Sequence, residues 1–222
     1  MSLHLQRDLD SLKKEILQLG NLVENAINFA LLSLINRDAE LAEKALKFEE
    51  EINSKEVQIE EECLKILALH QPVAVDLRFI VVVLKVNNDL ERMGDIARNI
   101  AMRARYLAEQ PHVPVFQEMA SELPETVRSM VRKSLDSLVT LDLDLAITVM
   151  RMDDRVDEIN RRMYSEAKQI IEQDVRNTDV ALNLLSASRY MERIADLSTN
   201  IAEDVVFMVD GRVIRHSGTK HQ

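Results

Sequence analysis

The stretch Leu90-Glu-Arg-Met-Gly-Asp-Ile-Ala-Arg-Asn-Ile-Ala101 returns 101 residues later as Met191-Glu-Arg-Ile-Ala-Asp-Leu-Ser-Thr-Asn-Ile-Ala202. Two upstream segments also return, at a spacing of 104 residues: Asp38-Ala-Glu-Leu-Ala42 as Asp142-Leu-Asp-Leu-Ala146, and Glu49-Glu-Glu-Ile-Asn53 as Asp153-Asp-Arg-Val-Asp157. Self-similarity at a nearly fixed spacing is the signature of a duplicated structural unit. The chain is therefore predicted to contain two copies of one unit.

The spacing between the copies changes by three residues between the upstream segments and the downstream stretch. A residue inserted within a helix would rotate its buried face by about 100°, so the change is expected in a connection, between the second and third helices of each unit. The predicted domains are residues 1–110 and residues 111–209. The remaining tail, 210–222, shows no periodicity and is expected to be frayed.

Apolar residues recur at steps of three and four along both units, which is typical of amphipathic helices. The pattern predicts an all-α protein of two tandem three-helix bundles, with six long helices. Pro124 is expected to mark either the true start of the fourth helix or a kink in it. The predicted helices run over 5–36, 38–71, 72–110, 115–140, 142–175 and 177–209.

Composition agrees with this class and excludes others. Of 222 residues, 46% are apolar and only four are glycine and four proline, so there are few turn-forming residues for a many-stranded fold. The net charge of −10 repels nucleic acid and anionic membrane surfaces. The longest apolar run, Phe79 to Leu84, is far shorter than the roughly 20 residues that span a bilayer. The single cysteine and the absence of a secretory signal favour a cytoplasmic protein.

The repeated stretch places two carboxylates four residues apart in each unit. On a helix, Glu91 lies one turn from Asp95, and their repulsion costs roughly 0.2–0.5 kcal/mol in an isolated helix. The same arrangement recurs at Glu192 and Asp196. Two aligned carboxylates can supply part of the oxygen shell of magnesium, manganese, iron or calcium. The alternative is that these acids belong to an ordinary solvated helix face.

More acids lie on the preceding helix of each unit. Antiparallel packing of the second and third helices could bring them near the paired carboxylates and complete an oxygen-rich site. Most of these acids are nevertheless expected to belong to solvated helix surface. The acids are Glu49, Glu50, Glu51, Glu56 and Glu60 in the first unit, and Asp153, Asp154, Asp157 and Glu158 in the second.

No catalytic constellation is evident, so the chain is not expected to be an enzyme. Cys63 falls within the apolar rhythm of the second helix and is predicted to belong to the core. The histidines lie near the termini, at the end of the second helix, or between prolines.

The segment Gln71-Pro-Val-Ala-Val-Asp-Leu-Arg78, followed by the stretch from Leu90 to Ala101, resembles the PhoU family of phosphate-signalling proteins. The resemblance covers nearly the whole chain, and it implies two similar three-helix bundles. It also implies metal ions, sometimes in multinuclear clusters, whose identity could be iron, zinc, magnesium or manganese. By position, the implied ligands are Glu91 and Asp95 in one site and Glu192 and Asp196 in the other, with weaker contributions from Glu49, Asn53, Asp153 and Asp157. One departure, Ala195 where the first copy has Gly94, leaves the equivalence of the two sites open.

The same resemblance implies a cytoplasmic negative regulator, expected as a homodimer. Such a protein restrains the phosphate ABC transporter through its ATPase and keeps a sensor histidine kinase quiet when phosphate is plentiful. Two other functions remain possible on the sequence alone: a ferritin-like metal oxidase, and a metal-free helical adaptor similar to BAG-type bundles.

Overall fold

The computed structural model describes residues 3–110 and 122–211, and every regular element within those ranges is helical. This confirms the predicted all-α class. The elements are α1 (Leu3–Asn36), α2 (Ala39–Leu46), α3 (Phe48–His70), α4 (Ala74–Ala108), α5 (Glu122–Thr140), α6 (Leu143–Gln173), a 3₁₀ turn (Val175–Asn177) and α7 (Thr178–Asp210).

The predicted second helix is two helices, α2 and α3, which meet at Lys47. Lys47 keeps helical dihedrals (φ −70°, ψ −18°), so the chain changes its hydrogen bonding here without leaving the helical region. Directly after it, Phe48 stacks on Phe29 of α1 with ring centroids 6.0 Å apart. The apolar rhythm continues through this junction, and for that reason periodicity alone predicted one helix.

Side chains cap the corresponding helices of the two units in the same way. The carboxylate of Asp38 accepts hydrogen bonds from the backbone N–H groups of Glu40 and Leu41 at the start of α2. Asp142 accepts from the N–H of Leu145 at the start of α6. Both caps satisfy donors that a helix leaves unpaired in its first turn.

The fourth predicted helix is described as α5 from Glu122 to Thr140 and contains Pro124. The segment that decides between the two expectations for Pro124, a helix start or a kink, precedes Glu122. The predicted residues 115–121 lie outside the described residues, as do residues 212–222 of the tail.

In the first unit, α1, α2 with α3, and α4 pack into one bundle, and α5, α6 and α7 pack into the other. The bundles join mainly through α4 against α7 and through α1 against α5, over one continuous apolar core. The α4–α7 contact is antiparallel, because Arg78 reaches the carbonyl of Met208 (3.2 Å) while Arg103 reaches the side chain of Asn183 (2.9 Å) at the opposite end.

The three-residue difference between the copies falls where it was predicted. Helix α3 ends at His70, and the connection Gln71–Val73 leads directly into α4. In the second unit, Asp174 follows α6 and passes at once into the 3₁₀ turn that begins at Val175. At the two repeat spacings, His70 corresponds to Asp174 and Ala74 to Val175, so the extra residues are the connection itself.

Candidate metal centres

All the predicted site residues lie along two grooves, one in each unit. We call the groove between α3 and α4 the first acidic groove, and the groove between α6 and α7 the second acidic groove. The first is formed by Glu49, Asn53 and Glu56 on α3 and by Glu91 and Asp95 on α4; the second by Asp153, Asp157 and Asn160 on α6 and by Glu192 and Asp196 on α7.

Antiparallel helices hold each groove together. In the first, the side-chain amide of Asn87 donates to the backbone carbonyl of Glu56 (2.9 Å), which fixes the register of α4 on α3. Asn87 itself is 1% exposed. Glu91 lies one turn after Asn87 and is half-buried, while Asp95, a further turn along, is exposed. The groove is therefore built on a rigid helix pair and opens to solvent at Asp95.

The first acidic groove contains its own cation. The guanidinium of Arg98 on α4 lies 2.6 Å from a carboxylate oxygen of Glu49 on α3. Burial raises the pKa of the Glu91 carboxyl, and the negative charges of Asp95 and Glu56 raise it further. Only Glu49 among the predicted ligands here is held in an ion pair by the described residues.

Glu56 belongs to the same electrostatic group as the predicted ligands. Burial raises the pKa of the Glu56 carboxyl, and the charge of Glu60 one turn away adds to the rise. The charge of Glu56 in turn acts on Glu91. The carboxylates of α3 and α4 therefore share one surface, as antiparallel packing predicted.

The second acidic groove is more strongly coupled. Burial raises the pKa of Asp153 to about 6, and the charges of Asp196, Asp157, Asp154 and Glu192 contribute to that rise. Because these acids lie on both α6 and α7, their repulsion acts across the groove as well as along each helix. A bound cation would relieve this repulsion.

A hydrogen-bond chain orients Glu192. The hydroxyl of Ser188 donates to the Asn160 side-chain oxygen (2.8 Å), and the Asn160 amide donates to a carboxylate oxygen of Glu192. Burial raises the pKa of the Glu192 and Asp196 carboxyls, and in both the charge of Asp157 adds to the rise. Partners of this kind orient metal ligands in known metal sites.

Sequence reasoning missed several residues that shape the grooves: Arg98 and its counterpart Thr199, Asn87 and Ser188, and Asn160. It named Glu56 among the acids but left it out of the ligand set. The repeat itself could have identified Glu56. At a spacing of 104 residues, Asn53 corresponds to Asp157 and Glu56 corresponds to Asn160, so the acid and the amide are exchanged between the two units.

The donor chemistry of both grooves fits a hard cation, because carboxylate and amide oxygens are the ligands that such ions take. The hydroxyl of Thr199, buried and without a hydrogen-bond partner, is a further oxygen on the α7 side. As placed in the described part of the chain, no three His, Cys, Asp or Glu side chains converge on one point. A complete coordination shell around a cation would therefore require the acidic side chains to rotate, while the helices that carry them already face one another.

The thiol of Cys63 is unsuited to act as a nucleophile. Cys63 is fully buried, as predicted, and burial raises the pKa of its thiol to about 12, which leaves almost none of the thiolate nucleophile at neutral pH. Among the described residues, no helix is both long and apolar enough to cross a membrane.

Two segments of the chain, residues 16–104 and residues 120–205, each match the PhoU domain. The chain belongs to the PhoU family. The two matched segments correspond to the two helical units and agree with the duplication read from the sequence.

Other PhoU proteins cover the chain almost completely. The phosphate-specific transport system accessory protein PhoU homolog of Pseudomonas putida is 37% identical over 220 residues, which span 99% of this chain and 86% of that protein. The homolog from Aquifex aeolicus is 36% identical over 98% of each chain. The crystal structure of PhoU from Pseudomonas aeruginosa superposes with a TM-score of 0.90 at 36% identity, covering 93% of this chain and 99% of that one. PhoU relatives of this kind are named accessory proteins.

Proposed function

We propose that this chain is a negative regulator of phosphate uptake and of phosphate-starvation signalling. The observation that carries the proposal is the match of both units to the PhoU domain. Relatives named as accessory proteins of the phosphate-specific transport system share more than a third of the sequence over nearly its full length, which supports it.

The chain would act by binding to the ATPase of the phosphate ABC transporter and to the sensor histidine kinase. A binding protein shifts a partner's equilibrium only through unequal affinity for its two states, and up to about 5.5 kcal/mol of preference takes a partner from mostly active to mostly restrained. Leu77 and Val81, one turn apart on α4, are exposed apolar side chains that favour docking of this kind.

Hard cations in the two acidic grooves are part of the proposal. The ligands would be Glu91 and Asp95 in the first groove and Glu192 and Asp196 in the second, with Glu49, Asn53, Asp153 and Asp157 contributing from the facing helices. A divalent cation supplies positive charge that offsets the carboxylate repulsion. The chain's own contribution is to hold α3 against α4, and α6 against α7, so that the ligands face one another.

A homodimer in the cytoplasm completes the proposal. Sedimentation velocity on the purified chain tests the dimer directly, since a monomer of 25.4 kDa and a dimer differ twofold in mass.

Deletion of the gene tests the regulatory role. We expect phosphate uptake and phosphate-starvation genes to stay switched on in phosphate-rich medium, and the wild-type chain supplied in trans to restore repression. In parallel, a pull-down from cells grown at high phosphate is expected to recover the transporter ATPase or the sensor kinase. A deletion strain that carries no second copy and still represses uptake normally would overturn the proposal.

A further inference from the structure

We propose that the two acidic grooves bind cations unequally: the second is the tighter site, and Arg98 serves as a built-in counter-ion in the first. This inference rests on the metal binding proposed above. It concerns the relative cation affinity of the two units. Duplication alone would make the two affinities equal.

The first acidic groove is partly neutralised by the protein itself. Arg98 lies 2.6 Å from Glu49, so a cation that recruits Glu49 must compete with a guanidinium for the same carboxylate. The ion pair alone is a weak barrier, because both side chains are about 40% exposed. The larger effect is repulsion, since the positive charge of Arg98 stays within a few ångströms of an incoming divalent ion.

The second unit lacks this counter-ion. The residue that corresponds to Arg98 is Thr199, and the residue that corresponds to Glu49 is Asp153. The Thr199 hydroxyl is buried and has no hydrogen-bond partner. At the position where the first unit has a guanidinium, the second unit therefore has only an uncharged hydroxyl.

Other basic residues near the grooves do not reverse this difference. Arg92 lies 3.3 Å from Asp89, whereas its counterpart Arg193 has Tyr190 at the corresponding position. The charge of Arg92 acts on Glu91, and that of Arg193 acts on Asp196. Arg189 attracts Glu192, and the first unit has Asn88 at that position. Arg189 and Arg193 are exposed, and among the described residues neither forms an ion pair with an acid of the groove. Their effect is therefore screened by solvent, unlike the direct contact of Arg98.

The ligands of the second acidic groove are also better organised. Asn160, held by Ser188, orients a carboxylate oxygen of Glu192. The corresponding residue in the first unit is Glu56, whose charge repels Glu91 rather than holding it. A ligand that is already oriented loses less rotational freedom on binding, which favours the second groove.

Titration of the metal-free chain with Mn²⁺, followed by calorimetry and by metal analysis after gel filtration, tests the inference. We expect one tight class of sites, which Asp196→Asn removes and Asp95→Asn leaves, and a second class at least about tenfold weaker. Arg98→Thr should strengthen the weak class by about tenfold, and Thr199→Arg should weaken the tight class by a similar factor. The control is Arg105→Thr, which removes the same charge from the same face of α4 but pairs with Glu43 (2.8 Å) outside the groove.

The outcomes separate the two proposals. If Asp95→Asn and Asp196→Asn lower Mn²⁺ binding equally, or if Arg98→Thr has no more effect than Arg105→Thr, the grooves are equivalent and this inference is wrong while metal binding stands. If neither the wild-type chain nor any variant binds Mn²⁺, metal binding itself is wrong, and the inference fails with it. Melting by circular dichroism confirms that each variant is folded, and Arg98→Gln repeats the test with a side chain that stays polar.

Discussion

Gly94 on α4 lies directly against Ile52 on α3: a Cβ atom at Gly94 would come within 3.0 Å of the Ile52 Cδ1 atom and 3.1 Å of its Cγ2 atom. In the second unit the corresponding residues are Ala195 and Val156, both buried. One helix has gained a methyl group where the facing helix has lost one. The departure from the repeated motif at Ala195 is therefore matched by an opposite change in side-chain size on the facing helix.

A double-mutant cycle tests this compensation. Gly94→Ala should lower the free energy of unfolding by about 1 kcal/mol, because overpacking outweighs the better helix propensity of alanine. Ile52→Val should cost about 0.5–1.5 kcal/mol alone. Combined, the two should be less destabilising than their sum by about 1 kcal/mol. Urea denaturation measures all three, and a strictly additive double variant would contradict the account.

Loss of the paired carboxylates should lower metal content and stability together. We expect Asp95→Asn combined with Asp196→Asn to reduce bound metal and to remove the stabilisation that metal provides, about 2.7 kcal/mol at a hundredfold excess over the dissociation constant. The matched control is Glu40→Gln with Asp144→Asn, which removes two exposed acids at equivalent places in the first turns of α2 and α6. If the first pair changes neither metal content nor melting temperature, the acids are solvated surface and the metal-free adaptor becomes the better interpretation.

The raised pKa of Asp153 predicts an unusual dependence of stability on pH. In metal-free protein the folded state binds this proton more tightly than the unfolded state does, so stability falls as pH rises from about 4 to about 6, and the cost is fully present above that range. Asp153→Asn should therefore raise the free energy of unfolding at pH 7.5 by about 1–3 kcal/mol, and by little at pH 4. Melting in chelator at both pH values measures this. Asp144→Asn, at an exposed acid of the same helix whose charge does not act on Asp153, serves as the control, and an equal effect of Asp153→Asn at the two pH values would refute the cause.

An ion pair with one buried partner links the two units. Asp204 of α7 has a side chain only 3% exposed, and the ammonium of Lys85 on α4 lies 3.1 Å from it. Lys85→Met should destabilise the protein by about 1–3 kcal/mol, because the buried carboxylate loses a charged donor. Adding Asp204→Asn should recover part of this loss. The control is Lys65→Met, which removes an exposed partner of Glu62 and should change stability by less than about 0.5 kcal/mol. An equal loss of stability in the two lysine variants would contradict a role for the burial of Asp204.

The helices could be predicted from the periodicity of apolar residues, and the duplication from the similarity of the two halves. Both patterns are visible in the amino-acid sequence itself. It missed the junction at Lys47, where the apolar rhythm continues although the hydrogen bonding changes. It placed the site acids on facing helices but not the ion pair between Arg98 and Glu49, because the partner of a charged side chain is decided by the rotation of two helices about their axes. Ligand positions could be inferred from spacing, whereas neutralisation of a ligand required the packed structure.

The antiparallel contact of α4 with α7 joins two copies of the same helix, which is the geometry of a two-fold dimer interface made within a single chain. Two separate units would have to meet in solution, whereas the covalent connection holds them at an effective concentration on the order of millimolar. In a dimer of identical units, every mutation appears twice. In the fused chain, position 98 can be arginine while the corresponding position 199 is threonine. Fusion therefore allows one unit to change its sequence and its properties while the other unit stays the same.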